Sequence, residues 1–310
     1  MTADVMEIGS TERFLHHARH GTLSLPMPGH GHTAARFEAL RRYARHDGSI
    51  GRLVESHADA LAILHDARRD PPLHTAMAVW ASDSSTQLVL QPNAHGYTLD
   101  GTKHFGGGAI IIDAALVTAT RDDEQVLVLV HLRQPTVTVD PNGWNAAAFA
   151  DAGLASVHFA TTPVGRDAVV GEPGFYGNRC GFWDGAVGVA AGWAGLLDVL
   201  IERMRFRRRD DLSRSAAGEL AAIQWGNDAA LAHAAHQIDD ARNRTISDAR
   251  NDALAARHCI REFCEQARRL IDHETGPAPL VFDTDWQRRR AELDLAILQS
   301  HGRRDAMQIG

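Results

Sequence analysis

Gly96-Tyr97-Thr98-Leu99-Asp100-Gly101-Thr102-Lys103-His104-Phe105, followed at once by Gly106-Gly107-Gly108, is the stretch on which the reading of this 310-residue chain turns. Asp100-Gly101 inside it and the three glycines after it are turn signals, and they belong to a longer series. Short apolar runs rich in β-branched residues, Gln87–Leu90, Ile110–Ile112, Ala115–Ala119, Val126–Val130 and Thr136–Val139, alternate with Pro92-Asn93, Asp122-Asp123 and Pro141-Asn142-Gly143. That spacing is the spacing of a sheet. No ten-residue helical pattern intervenes between about His74 and Phe175, which argues against parallel βαβ units and predicts an antiparallel β-domain over residues 73–175.

Outward from this segment the periodicity changes. Phe37, Leu40 and Tyr43, then Leu53, His57, Leu61 and Leu64, recur at three- and four-residue steps, the signature of helix. Asp47-Gly48 interrupts them, so one helix ends near His46 and a second runs from Ser49 to Ala67 before Pro71-Pro72. Arg52 and Glu55 share one face of the second helix at i, i+3 and predict an ion pair. After Gly174 the chain is Ala- and Leu-rich with helical spacing over Trp183 to Arg209, Ser215 to Arg244, Asp248 to His273 and Asp285 to Gln299, which predicts a bundle. The expected organisation is therefore α+β: an N-terminal helical domain over residues 1–72, the central β-domain over 73–175 and a C-terminal helical bundle over 176–310.

Composition narrows the function classes. With 44% hydrophobic and 23% charged residues the chain is an ordinary globule. Its formal charge of -7 argues against a general nucleic-acid binder. Cys180, Cys259 and Cys264 are odd in number and not clustered as metal ligands, which suits free thiols in a reducing compartment. Met1–Ser10 has no apolar signal region, and the apolar run Gly185–Leu197 is shorter than the ~20 residues of a membrane span. The expectation is a cytoplasmic protein without membrane or nucleic-acid partners. The chain has one lysine, Lys103, against 31 arginines. An arginine preference this strong is a coding bias and says little about function, while a lysine kept at one position points to a compact ammonium there rather than a forked guanidinium.

The order helices, β-domain, helical bundle resembles the acyl-CoA dehydrogenase superfamily, and two segments carry the resemblance. Gly96–Phe105 is similar to that family's G-Y-x-L-N-G-x-K-x-W, followed by small residues and by an Asp before a hydrophobic strand, here Asp113 before Leu116–Ala119. Asp151–Phe159, Pro163 and Val169-Val170-Gly171-Glu172-Pro173-Gly174-Phe175 resemble the family's strand and its exit into the bundle. The similarity covers residues 96–175, about a quarter of the chain. It implies a flavin, FAD or alternatively FMN, lying against the β-domain. By the same resemblance Phe105, standing at the family's Trp, and Gly106 and Gly107, small enough for close approach, would meet the cofactor. Trp80, Ala81 and Ser82 stand at the family's L-T-E-P-x-x-G-S-D loop and are the further cofactor-binding candidates, with hydroxyls offered by Ser82, Ser84 and Ser85. The resemblance also implies an acyl-CoA or related small-molecule substrate and a homodimer or homotetramer assembled through the bundle.

The chain departs from the family at several points. The Thr-Glu-Pro of the loop is absent. The stretch Arg208-Arg209-Asp210-Asp211-Leu212 keeps an Arg but lacks the Phe-Gly that meets the adenosine half of FAD. The basic run Arg203 to Arg209 reads as a solvated helix end or as a phosphate contact. The family's α-proton abstraction needs a carboxylate, and Glu274 and Asp210 are its nearest counterparts. His301, in Gln299-Ser300-His301-Gly302 closing the last helix, is the catalytic candidate, because the resemblance to flavin monooxygenases on this fold implies a His serving as acid or base near the flavin. The leading expectation is an acyl-CoA dehydrogenase-like oxidoreductase. The alternatives are a family member that has lost FAD and serves as a partner subunit, and a flavin monooxygenase on the same fold.

Overall fold

The computed structural model describes residues 8–82, 88–205, 211–240 and 244–309. The chain forms two compact units, each discontinuous in sequence: Met1–Ser24 with Arg52–Phe182, and Leu25–Gly51 with Trp183–Gly310.

The first unit is built on one sheet. Its strands are β1 (Met77–Trp80), β2 (Val89–Asn93), β3 (Gly96–Gly106), β4 (Ala114–Arg121), β5 (Glu124–His131), β6 (Val137–Asp140), β7 (Ala155–Val164) and β8 (Val169–Val170). They lie in the order β6-β7-β3-β2-β4-β5-β8, with β1 also on β4. The expected antiparallel domain is corrected to a mixed one: β1 pairs with β4 in parallel, as does Val89 of β2, while β2–β3, β3–β7, β4–β5, β5–β8 and β6–β7 are antiparallel. The parallel pairing arises because the β2–β3 hairpin is inserted between β1 and β4, so the chain comes back to β1 by a long return instead of a tight turn. Ile110–Ile112, expected as a strand, is instead part of the turn after β3, in which Ile111 and Ile112 donate to the Gly108 carbonyl at 2.8 and 2.9 Å. Asp122 and Asp123 both have positive φ, 51° and 63°, as a two-residue hairpin between twisted strands requires. Ala60, Ile63 and Leu64 of helix α3 (Gly48–Asp66) cover the sheet, packing on Met77, Leu116, Leu127 and Val170. Helix α1 (Thr11–Arg19) joins the same unit, its Arg19 paired bidentately with Asp113 at 2.7 and 2.8 Å. The predicted Arg52–Glu55 ion pair is present.

The second unit is helical: α2 (Thr33–His46), α4 (Cys180–Arg205), α5 (Asp211–Asp240), α6 (Ile246–Thr275), the short α7 (Ala278–Phe282), α8 (Thr284–Ile297) and the short α9 (Arg303–Ala306). By length and composition α4 is apolar enough to cross a membrane, which the run Gly185–Leu197 alone did not suggest. Most of that stretch is buried, as in a core helix. Gly195 lets α4 approach the main chain of Arg41 in α2 so closely that a Cβ would collide with its carbonyl. Beside that contact Arg41 pairs bidentately with Asp198, at 2.6 and 2.9 Å, and also with Asp228.

The start of α2 is capped from another helix. His32 gives it no side-chain cap. Asp239 of α5 instead accepts the amides of Gly31 and Thr33, each at 3.0 Å, and the Thr33 hydroxyl at 2.6 Å. Partial burial works to raise the Asp239 pKa, and these hydrogen bonds outweigh it and hold the carboxyl below its usual range. Asp239→Ala is expected to destabilise the second unit by about 1–2 kcal/mol, read by denaturant unfolding. An unchanged midpoint would show that the cap carries no stability.

Candidate functional site

The site begins where β3 stops pairing regularly. Lys103 lies opposite Val157 of β7 and Gly106 opposite Ala155, so His104-Phe105 forms a bulge. Phe105 takes a left-handed conformation, φ 58°, unusual for a bulky residue, and this turns its ring outward to 57% exposure. The ring meets Trp144 edge to face, with centroids 6.3 Å apart, and the Trp144 indole is held by donating to the Ala148 carbonyl at 3.0 Å. Beyond Phe105 the three glycines differ in what they do. Gly106 packs on the Ala155 carbonyl, which a Cβ would approach to 3.0 Å. Gly108 has φ 75° and donates to the Ala152 carbonyl at 3.0 Å. Gly107 is itself buried, yet a Cβ placed there would meet nothing within 4 Å. The turn thus leaves room beside its own main chain, next to an exposed aromatic ring.

Trp80, the last residue of β1, stands under this turn. Only 3% exposed, it donates its indole N–H to the Gly107 carbonyl at 2.9 Å. Its role is to support the ledge from behind, and Ala81 and the exposed Ser82 follow it on the way out of the sheet. Four of the sequence candidates, Trp80, Phe105, Gly106 and Gly107, are therefore gathered around one turn. Ser84 and Ser85 lie outside the described residues, as do Arg207, Arg208, Arg209 and Asp210. Arg203 pairs with Asp285 at 2.9 Å, so that end of the basic run serves the bundle.

His301 lies in the second unit, between α8 and α9. Its ring is exposed, with Nδ1 3.5 Å from Asp305 Oδ1, and its amide donates to Asp305 Oδ2 at 2.8 Å. Glu274 sits at the end of α6, 3.3 Å from the His273 ring. A cleft of about 570 Å3 opens among α2, α4 and α5, lined in part by Phe37 and by Arg41, which is ion-paired with Asp198 and Asp228 on the same lining. Among the described residues no three metal-ligating side chains come together.

One residue of note escaped the sequence reading. Trp144 follows Pro141-Asn142-Gly143, and a Trp directly after a turn was the available signal. His57, read from the sequence as part of the apolar face of α3, also has a partner that no local signal shows: its Nδ1 accepts the Met77 amide at 3.2 Å.

No protein-family model matches the sequence. A curated dibenzothiophene monooxygenase of Rhodococcus erythropolis is 27% identical over a 157-residue alignment that covers 44% of this chain and 38% of that protein's length. The crystal structure of FMN-bound TdsC from Paenibacillus sp. A11-2 superposes with a TM-score of 0.78 at 16% identity, over 90% of this chain and 82% of that one. PigA with FAD and proline superposes with a TM-score of 0.78 at 16% identity, over 98% and 89%. These solved structures have the acyl-CoA dehydrogenase fold, and the described chain shares it.

Proposed function

We propose, from the acyl-CoA dehydrogenase fold that this chain carries in a divergent form, that it is a flavin-dependent oxidoreductase of the monooxygenase kind acting on a small organic molecule. The observation that supports this most is the ledge at the end of β3. A glycine with open space beside its main chain, a bulky aromatic turned out at a left-handed φ and a tryptophan bracing the turn fit the edge of a flat heteroaromatic ring. In this reading Phe105 and the main chain of Gly106 and Gly107 would hold the flavin ring. Ala81 and Ser82 would supply main-chain groups and a hydroxyl next to it. FAD is the expected cofactor and FMN the alternative, and similar structures carry one or the other. A bound, reduced flavin supplies the two electrons with which dioxygen gives one atom to a substrate and one to water.

The monooxygenase reading is preferred to acyl thioester dehydrogenation because the curated relative is a monooxygenase. His301 is the proposed proton carrier of this reading, with Asp305 beside it.

The test is addition of FMN or FAD to the purified protein, followed by absorbance and fluorescence, and then oxygen uptake with reduced flavin and candidate aromatic or amine substrates. Saturable uptake of one flavin per chain and substrate-dependent oxygen consumption are the expected results. Failure to take up either flavin overturns the proposal and leaves the cofactor-free partner subunit. His301→Ala is expected to slow substrate oxidation by about 100-fold with flavin affinity unchanged. An unchanged rate removes His301 from the reaction.

A further inference from the structure

We infer that Lys103 is the positioning residue of this site: its ammonium ties β3 to β4 at a break in the strand pairing of the described residues and thereby sets where the Phe105–Gly107 turn stands. Only the consequence for flavin rests on the reading above. β4 is paired with β1 as far as Val117, and with β2 only at Thr120, whose amide also donates to the Leu88 carbonyl at 2.7 Å. Among the described residues, Thr118 and Ala119 fall between these pairings, where the chain leaves β1 through Ala81 and Ser82. β2 in turn pairs with β3 only over Gly96–Asp100, so Lys103 lies beyond its reach.

Lys103 extends across this break. It is 2% exposed, and Nζ donates to Thr118 Oγ1 at 2.8 Å and to the Thr118 carbonyl at 3.3 Å. A side chain thus supplies the hydrogen bond that a continuous neighbouring strand would have given. Two residues later the chain bulges at Phe105, and two after that Gly107 receives the Trp80 indole. The turn is consequently fixed from both sides, by Lys103 to β4 and by Trp80 to β1. The slot suits a thin aliphatic stem ending in a compact three-donor ammonium, and a planar guanidinium is broader and carries its donors in a fixed fork. In a chain with 31 arginines the single lysine occupies this slot.

The test compares Lys103→Met, Lys103→Arg and Thr118→Val with the parent by amide exchange and by titration with FMN and FAD. Both Lys103 variants are expected to speed exchange at Gly106–Gly108 at least 10-fold while β5 exchanges as before, and to weaken flavin binding at least 10-fold. Thr118→Val, which removes only the 2.8 Å bond, is expected to change the same amides less, and it decides the matter if the lysine variants do not fold. Unchanged exchange at Gly106–Gly108 in the folded variants, or full recovery by Lys103→Arg, overturns the inference. If the parent binds no flavin, the functional reading fails while the exchange measurements still decide the role of Lys103.

Discussion

Trp80→Ala is expected to cost the first unit about 3–5 kcal/mol and to abolish flavin uptake, whereas Trp80→Phe should keep most of the stability and still lose the site. The side chain is almost fully buried at the end of β1, so truncation to Ala leaves a large void in a close-packed sheet. Its second contribution is separable. The indole N–H is the donor to the Gly107 carbonyl at 2.9 Å, and a phenyl ring fills much of the space without that donor. An unmet carbonyl at a buried glycine costs about 1–3 kcal/mol, and here the cost falls on the turn that carries Phe105. Denaturant unfolding monitored on the first unit gives the stability change, and flavin titration gives the effect on the site. Parental flavin affinity in folded Trp80→Phe would show that the bond does not shape the ledge.

The second large effect is on pH dependence, and it has opposite signs in the two units. In the first unit burial pushes the His57 pKa down to about 4 from its usual 6.5, and protonation at Nδ1 would break the bond from the Met77 amide. As pH falls below about 6.5 the unfolded chain takes up a proton that the folded chain refuses, so stability is lost between about pH 6.5 and 4 and is fully present above that window. In the second unit burial pushes the Glu292 carboxyl up to about 7 from 4.5. Arg288, donating to Oε1 at 2.8 Å, opposes the rise and Asp47 adds to it. The other oxygen, Oε2, has no hydrogen-bond partner among the described residues and sits against Gly48, where a Cβ would collide with it. Here the folded chain keeps a proton that the unfolded chain releases, so stability is lost as pH rises from about 4.5 through about 7.

Each shift corresponds to about 3 kcal/mol at full effect. Glu292→Gln is therefore expected to stabilise the second unit at pH 8 and to leave it unchanged near pH 4.5. His57→Asn, whose carbonyl can still accept the Met77 amide, should flatten the acid limb of the first unit. Thermal unfolding from pH 4 to pH 8, with amide exchange assigning each transition to its unit, checks both. A constant difference between Glu292→Gln and the parent across that range would remove the buried carboxyl as the cause.

Much of the fold was legible because its signals are local. The helix pair meeting at Asp47, the Asp122-Asp123 hairpin and the long helices of the bundle follow from periodicity and turn chemistry within a few residues. The mixed sheet was not legible, because parallel pairing of β1 with β4 depends on a return across the whole β2–β3 hairpin and leaves no local mark. Ile110–Ile112 misled for a related reason: three β-branched residues favour a strand, but Gly106 and Gly108 impose a turn that draws them in.

The candidate site divides in the same way. By itself the sequence determined that a Lys, an aromatic and three glycines follow one another in a strand and its turn, and that this run resembles a flavin-binding segment. Tertiary structure decided what each one does. Burial and hydrogen-bond partners are properties of distant segments brought together, so only the fold shows Trp80 bracing Gly107, Phe105 turned outward beside Trp144, and the single lysine joined to Thr118 of β4.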